Sequence, residues 1–322
     1  RAKIQNIFKI ICTFANNNNL SNMKKIICII VLLSLGLSSC DEFKNGQEIP
    51  SYIYVEGFNL EENPDFTFSQ SSDLLTQDIK DVWVYVDNEI LGAFPLPCSI
   101  PILKEGKHKI DLRPGIIYNG MNNMREAYSF YTTYVESIDL VPGKEVVLDK
   151  KNIMYDSEKS VIPFKETFES YFINFKQADV IAEEPKTMTV IRNDSVEYGS
   201  NCGAIYFEEG GNNKYISVDS IFCNNHLGLV LEIDYHTNIS FEVGVYGKSS
   251  SASANQYISA VRLTPNKNNS WQKAYIILTK AWDILGYPST FHIYLEAFNP
   301  NNTKNSFVHV DNIKVLHFPN KK

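Results

Sequence analysis

Three places in this chain carry side chains whose types and spacing could do chemistry. Glu232 and Asp234 lie two positions apart in "LEIDYHT", and alternation there reads as a strand, so both carboxyls share one face. Retaining hydrolysis of a glycosidic bond uses two carboxyls roughly 5 Å apart. The further acid that such a site requires is missing, because His236 stands two places past Asp234 and Thr237 follows. The pattern therefore reads as the solvent-facing side of a strand, and no enzyme is expected. The second place is the thiol of Cys40, which follows a run of small residues. The third is "KAWDILGYP", where Trp282 and Tyr287 stand outside clear alternation and form a loop-borne aromatic pair. Elsewhere the chemistry does not assemble. His108, His226, His236, His292, His309 and His317 lack metal spacing such as H-E-x-x-H. There is no nucleophile elbow and no phosphate-cradling glycine loop.

The surroundings of Cys40 explain its thiol. Met23-Lys24-Lys25 is a short positive start, residues 26–37 are apolar apart from Ser34 and Gly36, and Leu37-Ser38-Ser39 supply a small-residue cut. These are the parts of a secretory signal, and the apolar run is short of the roughly 20 residues needed to span a bilayer. With cysteine directly after the cut, residues 23–39 resemble a bacterial lipoprotein signal peptide. The resemblance implies a diacylglyceryl thioether and a palmitate-type acyl chain on Cys40, which becomes the membrane anchor. Several chains together hold a protein stably to a bilayer. Residues 1–22 read as translated sequence upstream of a start at Met23, and residues 40–50 as a polar tether.

The rest of the chain suits two domains of ordinary size. The 322 residues contain 18 Tyr and 19 Phe, and this aromatic content, with many Val and Ile, favours strands. The formal net charge is −7 and no basic stripe appears, which argues against a nucleic-acid partner. Cys98, Cys202 and Cys223 remain after the leader; a Cys202–Cys223 bridge and three free thiols fit equally well. The expected fold class is all-β, a small antiparallel β-domain followed by a β-sandwich jelly roll.

Residues 51–150 show three hairpin signals. "DVWVYVDNEILGAFPLP" alternates and turns at Asp87-Asn88, "ILKEGKHKIDLRPG" turns at Gly106 and again at Pro114-Gly115, and "YTTYVESIDLVPGKEVVLD" turns at Pro142-Gly143. The order V-x-V-D-x-x-x-x-G-x-x-P followed by E-G-x-H-x-I resembles PEGA-type modules of bacterial envelope proteins, which implies an interaction role without catalytic residues. Trp83, beside the tight hairpin, is read as packing. Residues 151–163 read as a linker.

Residues 164–318 carry eight or nine strands between Asn-, Gly-, Pro- and Ser-rich turns, the pattern of a sandwich. Phe168-Glu169, Trp271-Gln272 and the closing "VHVDNIKV" resemble the galactose-binding-like jelly roll of carbohydrate-binding modules. That resemblance implies a structural calcium shared by Glu169 and Asp311 with backbone oxygens near residues 198–202. It also implies a glycan ligand, for which Trp282 and Tyr287 are the candidate binding residues, while Trp271 is read as core. The layout as a whole resembles uncharacterised lipoproteins of the Bacteroidetes envelope. In these, acids such as Asp41-Glu42 behind the cysteine imply lipid-anchored display at the outer membrane. The function expected is non-catalytic glycan binding at the envelope; the alternative is a structural or accessory part of an envelope protein assembly with no small-molecule ligand.

Overall fold

The structure is a computed structural model that describes residues 48–66, 72–178, 186–192, 199–207, 211–224, 228–249, 252–299 and 303–319. The leader, Cys40 and Asp41-Glu42 lie outside the described residues, as do His226 and the carbonyls of residues 193–198. The chain divides into two compact units, Arg1–Pro50 and Ser51–Lys322, and the strands of the described residues lie in the second. The fold is all-β, ending in a jelly-roll sandwich. No helix among the described residues is long and apolar enough to cross a membrane.

Strands Asp81–Val86 and Glu89–Pro95 form the expected hairpin. Asp87 and Asn88 take φ of 53° and 68°, the left-handed values such a turn requires. Val82, Val84 and Val86 point into the core and Trp83 and Tyr85 away from it. Of the other turn signals, Gly106 and Pro142-Gly143 join strands of different sheets rather than paired neighbours. Strand Gly106–Ile117 runs straight through Pro114-Gly115 and pairs with Asp81–Val86. Tyr134–Leu140 joins it on its other side, whereas Glu145–Leu148, past the Pro142-Gly143 turn, pairs in parallel with Ser51–Val55. The first half is thus not purely antiparallel.

The jelly roll places two sheets face to face. In one, the order runs Thr189–Arg192, Asn201–Tyr206, Phe307–His317, Val230–Thr237, Gln272–Ile277, with Val161–Glu166 beside the far end of Phe307–His317. The other runs Phe175–Gln177, Gly211–Ser217, Thr290–Asn299, Phe241–Gly247, Gln256–Leu263, with Ile221–Phe222 against Thr290–Asn299. Alternate Val, Ile, Leu and Phe side chains from both sheets fill the space between them. One irregularity matters for the site. The ladder between Val230–Thr237 and Phe307–His317 shifts register between Glu232 and Asp234, and Asn312 there has φ of 49°. This is a β-bulge, which turns side chains out of the regular alternation.

Residues 151–163 are not a free linker. Lys151–Met154 is a strand paired in parallel with Phe58–Glu61, Tyr155 is buried, and Val161 opens the next strand. The first half also covers part of the jelly roll. Val230, Tyr275 and Leu316 share its apolar cluster, and Asn119 grips the border strand Gln272–Ile277. The Asn119 N–H donates to the Tyr275 carbonyl at 2.8 Å, and its Oδ1 accepts from the Ile277 N–H at 3.0 Å.

Candidate functional site

The outer face of the sheet containing Val230–Thr237 carries the tempting acids, and the first half covers one end of it. Glu232 is fully buried there rather than solvent-facing. Its carboxylate accepts from Tyr128 Oη at 2.7 Å and Tyr155 Oη at 2.9 Å, both from the first half. Lys273 Nζ and Lys314 Nζ lie 3.2 and 3.4 Å away. Burial opposes ionisation of Glu232, but the two ammoniums and two phenols outweigh it and hold the carboxyl below its usual range. Burial outweighs the same pairing at Lys314 and pulls it down to about 8. Its ammonium also donates to the Leu74 carbonyl. Tyr128, Tyr155 and Tyr275 are pushed well above the usual phenol range, chiefly by burial. This acid is a structural counter-ion closed to solvent.

One pleat further along the strand, the sheet opens into a cleft of about 330 Å³, at the low end of the roughly 300–1,000 Å³ usual for small-molecule sites. Its floor is a row of charge across three strands, because Asp234 stands opposite both Lys273 and Asp311. Lys273 Nζ donates to Thr76 Oγ1 at 2.8 Å and lies 3.4 Å from Asp234 Oδ1. Burial pulls this lysine down, but Asp234 and Glu232 more than compensate, so its ammonium is held above the usual range. The bulge brings Asn312 into the same floor, where its Nδ2 donates to Asp234 Oδ2 at 2.9 Å. The Asn312 backbone N–H donates to Asp311 Oδ1 at 2.7 Å. Thr76, Gln77, Asp78 and Lys80 of the first half line the cleft as well.

An aromatic row follows one pleat on, about 7 Å along the strands. His236 pairs with His309, and the Tyr235–Gln272 register brings Trp271 beside His236, ring centroids 6.0 Å apart. Phe307 packs on both histidines at 5.0 and 4.5 Å, and Tyr206 Oη lies 3.2 Å from His309 Nε2. Burial, aided by His236, holds His309 down to about 4, so His309 is uncharged at neutral pH. Trp271, expected in the core, is partly exposed and lines the cleft. Trp271 Nε1, His309 Nδ1 and Asn312 Oδ1 are buried without a hydrogen-bond partner, a condition that calls for explanation in a folded chain.

The other expected site residues lie elsewhere. Trp282 is on the short helix Thr279–Ile284, fully buried, with Nε1 donating to the Pro288 carbonyl at 2.9 Å. Tyr287 packs edge-on against it at 5.0 Å. Trp282 is therefore core, on a helical turn that breaks the alternation, and Tyr287, beyond the helix and partly buried, packs against it. Glu169 Oε1 accepts from the Ser200 and Asn201 N–H groups at 2.6 and 2.7 Å, and Oε2 from Asn201 Nδ2 at 2.7 Å. Burial opposes its ionisation, but these donors prevail and hold it below the usual range. Glu169 thus sits among N–H donors, whose dipoles disfavour a cation, while Asp311 faces the cleft. These residues do not fit a shared calcium, and no group of three or more His, Cys, Asp or Glu among the described residues is arranged for a metal. Cys202 and Cys223 are buried and not bridged to each other, and Cys98 is partly buried.

No protein-family model matches the chain, and no curated protein matches it. Solved structures of β-sandwich modules are similar in fold. One, from work on the promiscuous specificity of carbohydrate-binding modules of the β-sandwich superfamily, is 12% identical over 84% of this chain and 100% of its own, with a TM-score of 0.38. A family 11 carbohydrate-binding module of a cellulosomal cellulase of Clostridium thermocellum is 13% identical over 50% of this chain and 96% of its own, at 0.35. The K3 adhesin domain of Lys-gingipain from Porphyromonas gingivalis is 14% identical over 49% and 98%, at 0.34. Likeness at this level carries no argument about a ligand.

Proposed function

We propose that this chain is a non-catalytic envelope lipoprotein, anchored through a lipid on Cys40, whose cleft binds a glycan. The observation that carries the reading is the adjacency of the two rows on one sheet face. A sugar ring offers hydroxyls to Asp234, Asp311, Asn312 and Lys273 while a neighbouring ring lays its C–H face on Trp271 and the two histidine rings beside it. The outer-membrane address, surface display and the PEGA-like character of the first half belong to the same proposal and rest on the sequence patterns around Cys40 and residues 84–148. The test is a glycan array probed with the detergent-solubilised full chain. Binding is expected, with affinity reduced about tenfold by Trp271→Ala and further by Asp234→Asn. A chain that binds no glycan, or a Trp271→Ala variant that binds as the parent does, overturns the reading.

A further inference from the structure

Among the described residues six buried polar side-chain atoms lack a hydrogen-bond partner, and they fall into two groups of three. Trp271 and Asn312 line the cleft, and His309 belongs to the aromatic row beside it. The second group, Asp81 Oδ2, Trp83 Nε1 and Asp111 Oδ1, lies on the outer face of the first half's sheet, and the cleft does not account for it. Leaving such an atom unpaired is costly, so three on one face is an unusual concentration.

Register sets these residues side by side. Tyr85 stands opposite Asp111, Trp83 opposite Arg113, and Asp81 opposite Gly115. A Cβ on Gly115 would fall 2.9 Å from Trp83 Cδ1 and 3.0 Å from its Nε1. The glycine therefore lets the indole lie against the neighbouring strand. Arg113 bonds Asp111 Oδ2 at 2.9 Å and sits 3.9 Å over the Tyr85 ring, while Arg125 holds Asp81 Oδ1. Each carboxylate thus has one oxygen on a guanidinium and the other without a partner. The two arginine side chains are 39% and 38% exposed, so the ion pairs lie at the surface of this face.

We propose that this face is a second glycan site, with a pyranose ring on Trp83 and its hydroxyls bonded to Asp81 and Asp111; the inference rests on the glycan reading of the cleft. A hydroxyl both donates and accepts. One ring can therefore serve two acceptor oxygens and one indole N–H, and its C–H face covers the indole. A cationic ligand would find each aspartate already neutralised by arginine, and an anionic one would meet the two carboxylates. Two sites on one chain bind a repeating polymer with raised effective concentration, so the polymer is held more tightly than its short oligomers.

The experiment is calorimetry of the full chain with β-1,4-linked gluco-, xylo- and galacto-oligosaccharides, paired with gel retardation by their parent polysaccharides. The expected result is two oligosaccharides per chain, falling to one in Trp83→Ala and in Trp271→Ala, with polymer retention at least tenfold weaker in either. Asp111→Asn, which alters a carboxylate assigned to the sugar hydroxyls with little change of volume, gives the same reading should Trp83→Ala fail to fold. One oligosaccharide per chain, lost on Trp271→Ala and indifferent to Trp83→Ala and Asp111→Asn, overturns the second site and keeps the cleft. A parent chain that binds none of these probes overturns both.

Discussion

Glu232→Gln is expected to destabilise the chain by about 3–5 kcal/mol, because it leaves the buried Lys314 ammonium without its ion-pair partner and Lys273 with Asp234 alone. Tyr128→Phe removes one hydrogen bond to the same carboxylate and should cost about 1.5–3 kcal/mol. Urea unfolding measures both, and equal losses would mean that the charge is neutralised some other way. His309 gives a pH signature. Its pKa, held down to about 4 in the fold, lies below the ordinary imidazole value of 6.5, so between those values the unfolded chain binds more protons. Its contribution to stability is full above about pH 6.5 and is lost as pH falls through about 4. His309→Phe should flatten that part of the stability profile, and an unchanged slope would assign it to other groups. The spacing of Glu232 and Asp234 was legible in the sequence, but their surroundings were not. What buries Glu232 comes from Tyr128 and Tyr155, 104 and 77 residues away, and no local pattern announces such a partner.

Among the elements, the bulge at Asn312 does most to shape the cleft floor. Asn312→Val should cost about 1–3 kcal/mol, since a β-branched residue is strained at a φ of 49°. It should also weaken glycan binding, because Asp234 loses an amide donor. Asn312→Gly separates the two effects, keeping the backbone and losing only the contact, and thermal melts with binding titrations read both. At Glu169 the melting temperature is expected to be the same with chelator and with millimolar calcium. A fall with chelator would restore the calcium shared with Asp311. Alternation and turn residues predicted the Asp87-Asn88 hairpin because a two-residue turn fixes its own register. Pro142-Gly143 was legible as a turn, but a turn does not say which sheet the departing strand will join. Trp282 was misplaced for a related reason: one helical turn among strands breaks alternation just as a loop does.

For the molecule as a whole, the shared packing of residues 51–155 with the jelly roll predicts a single cooperative melting transition. Two separated transitions in calorimetry would show independent halves. Limited proteolysis should spare residues 151–155, whose strand is paired and whose Tyr155 is buried. Cys40→Ser should move the protein from the detergent phase to the aqueous phase, and unchanged partitioning would place the anchor elsewhere. The grip of Asn119 on Gln272–Ile277 has one more consequence. That strand is the last in its sheet, and a bare border strand is a template for joining another chain. Asn119 occupies the Tyr275 carbonyl and the Ile277 N–H, so the first half guards the border against intruding strands. A jelly roll expressed alone from residue 160 onward should therefore stick to itself, and its insolubility would reflect a missing guard rather than a failure to fold.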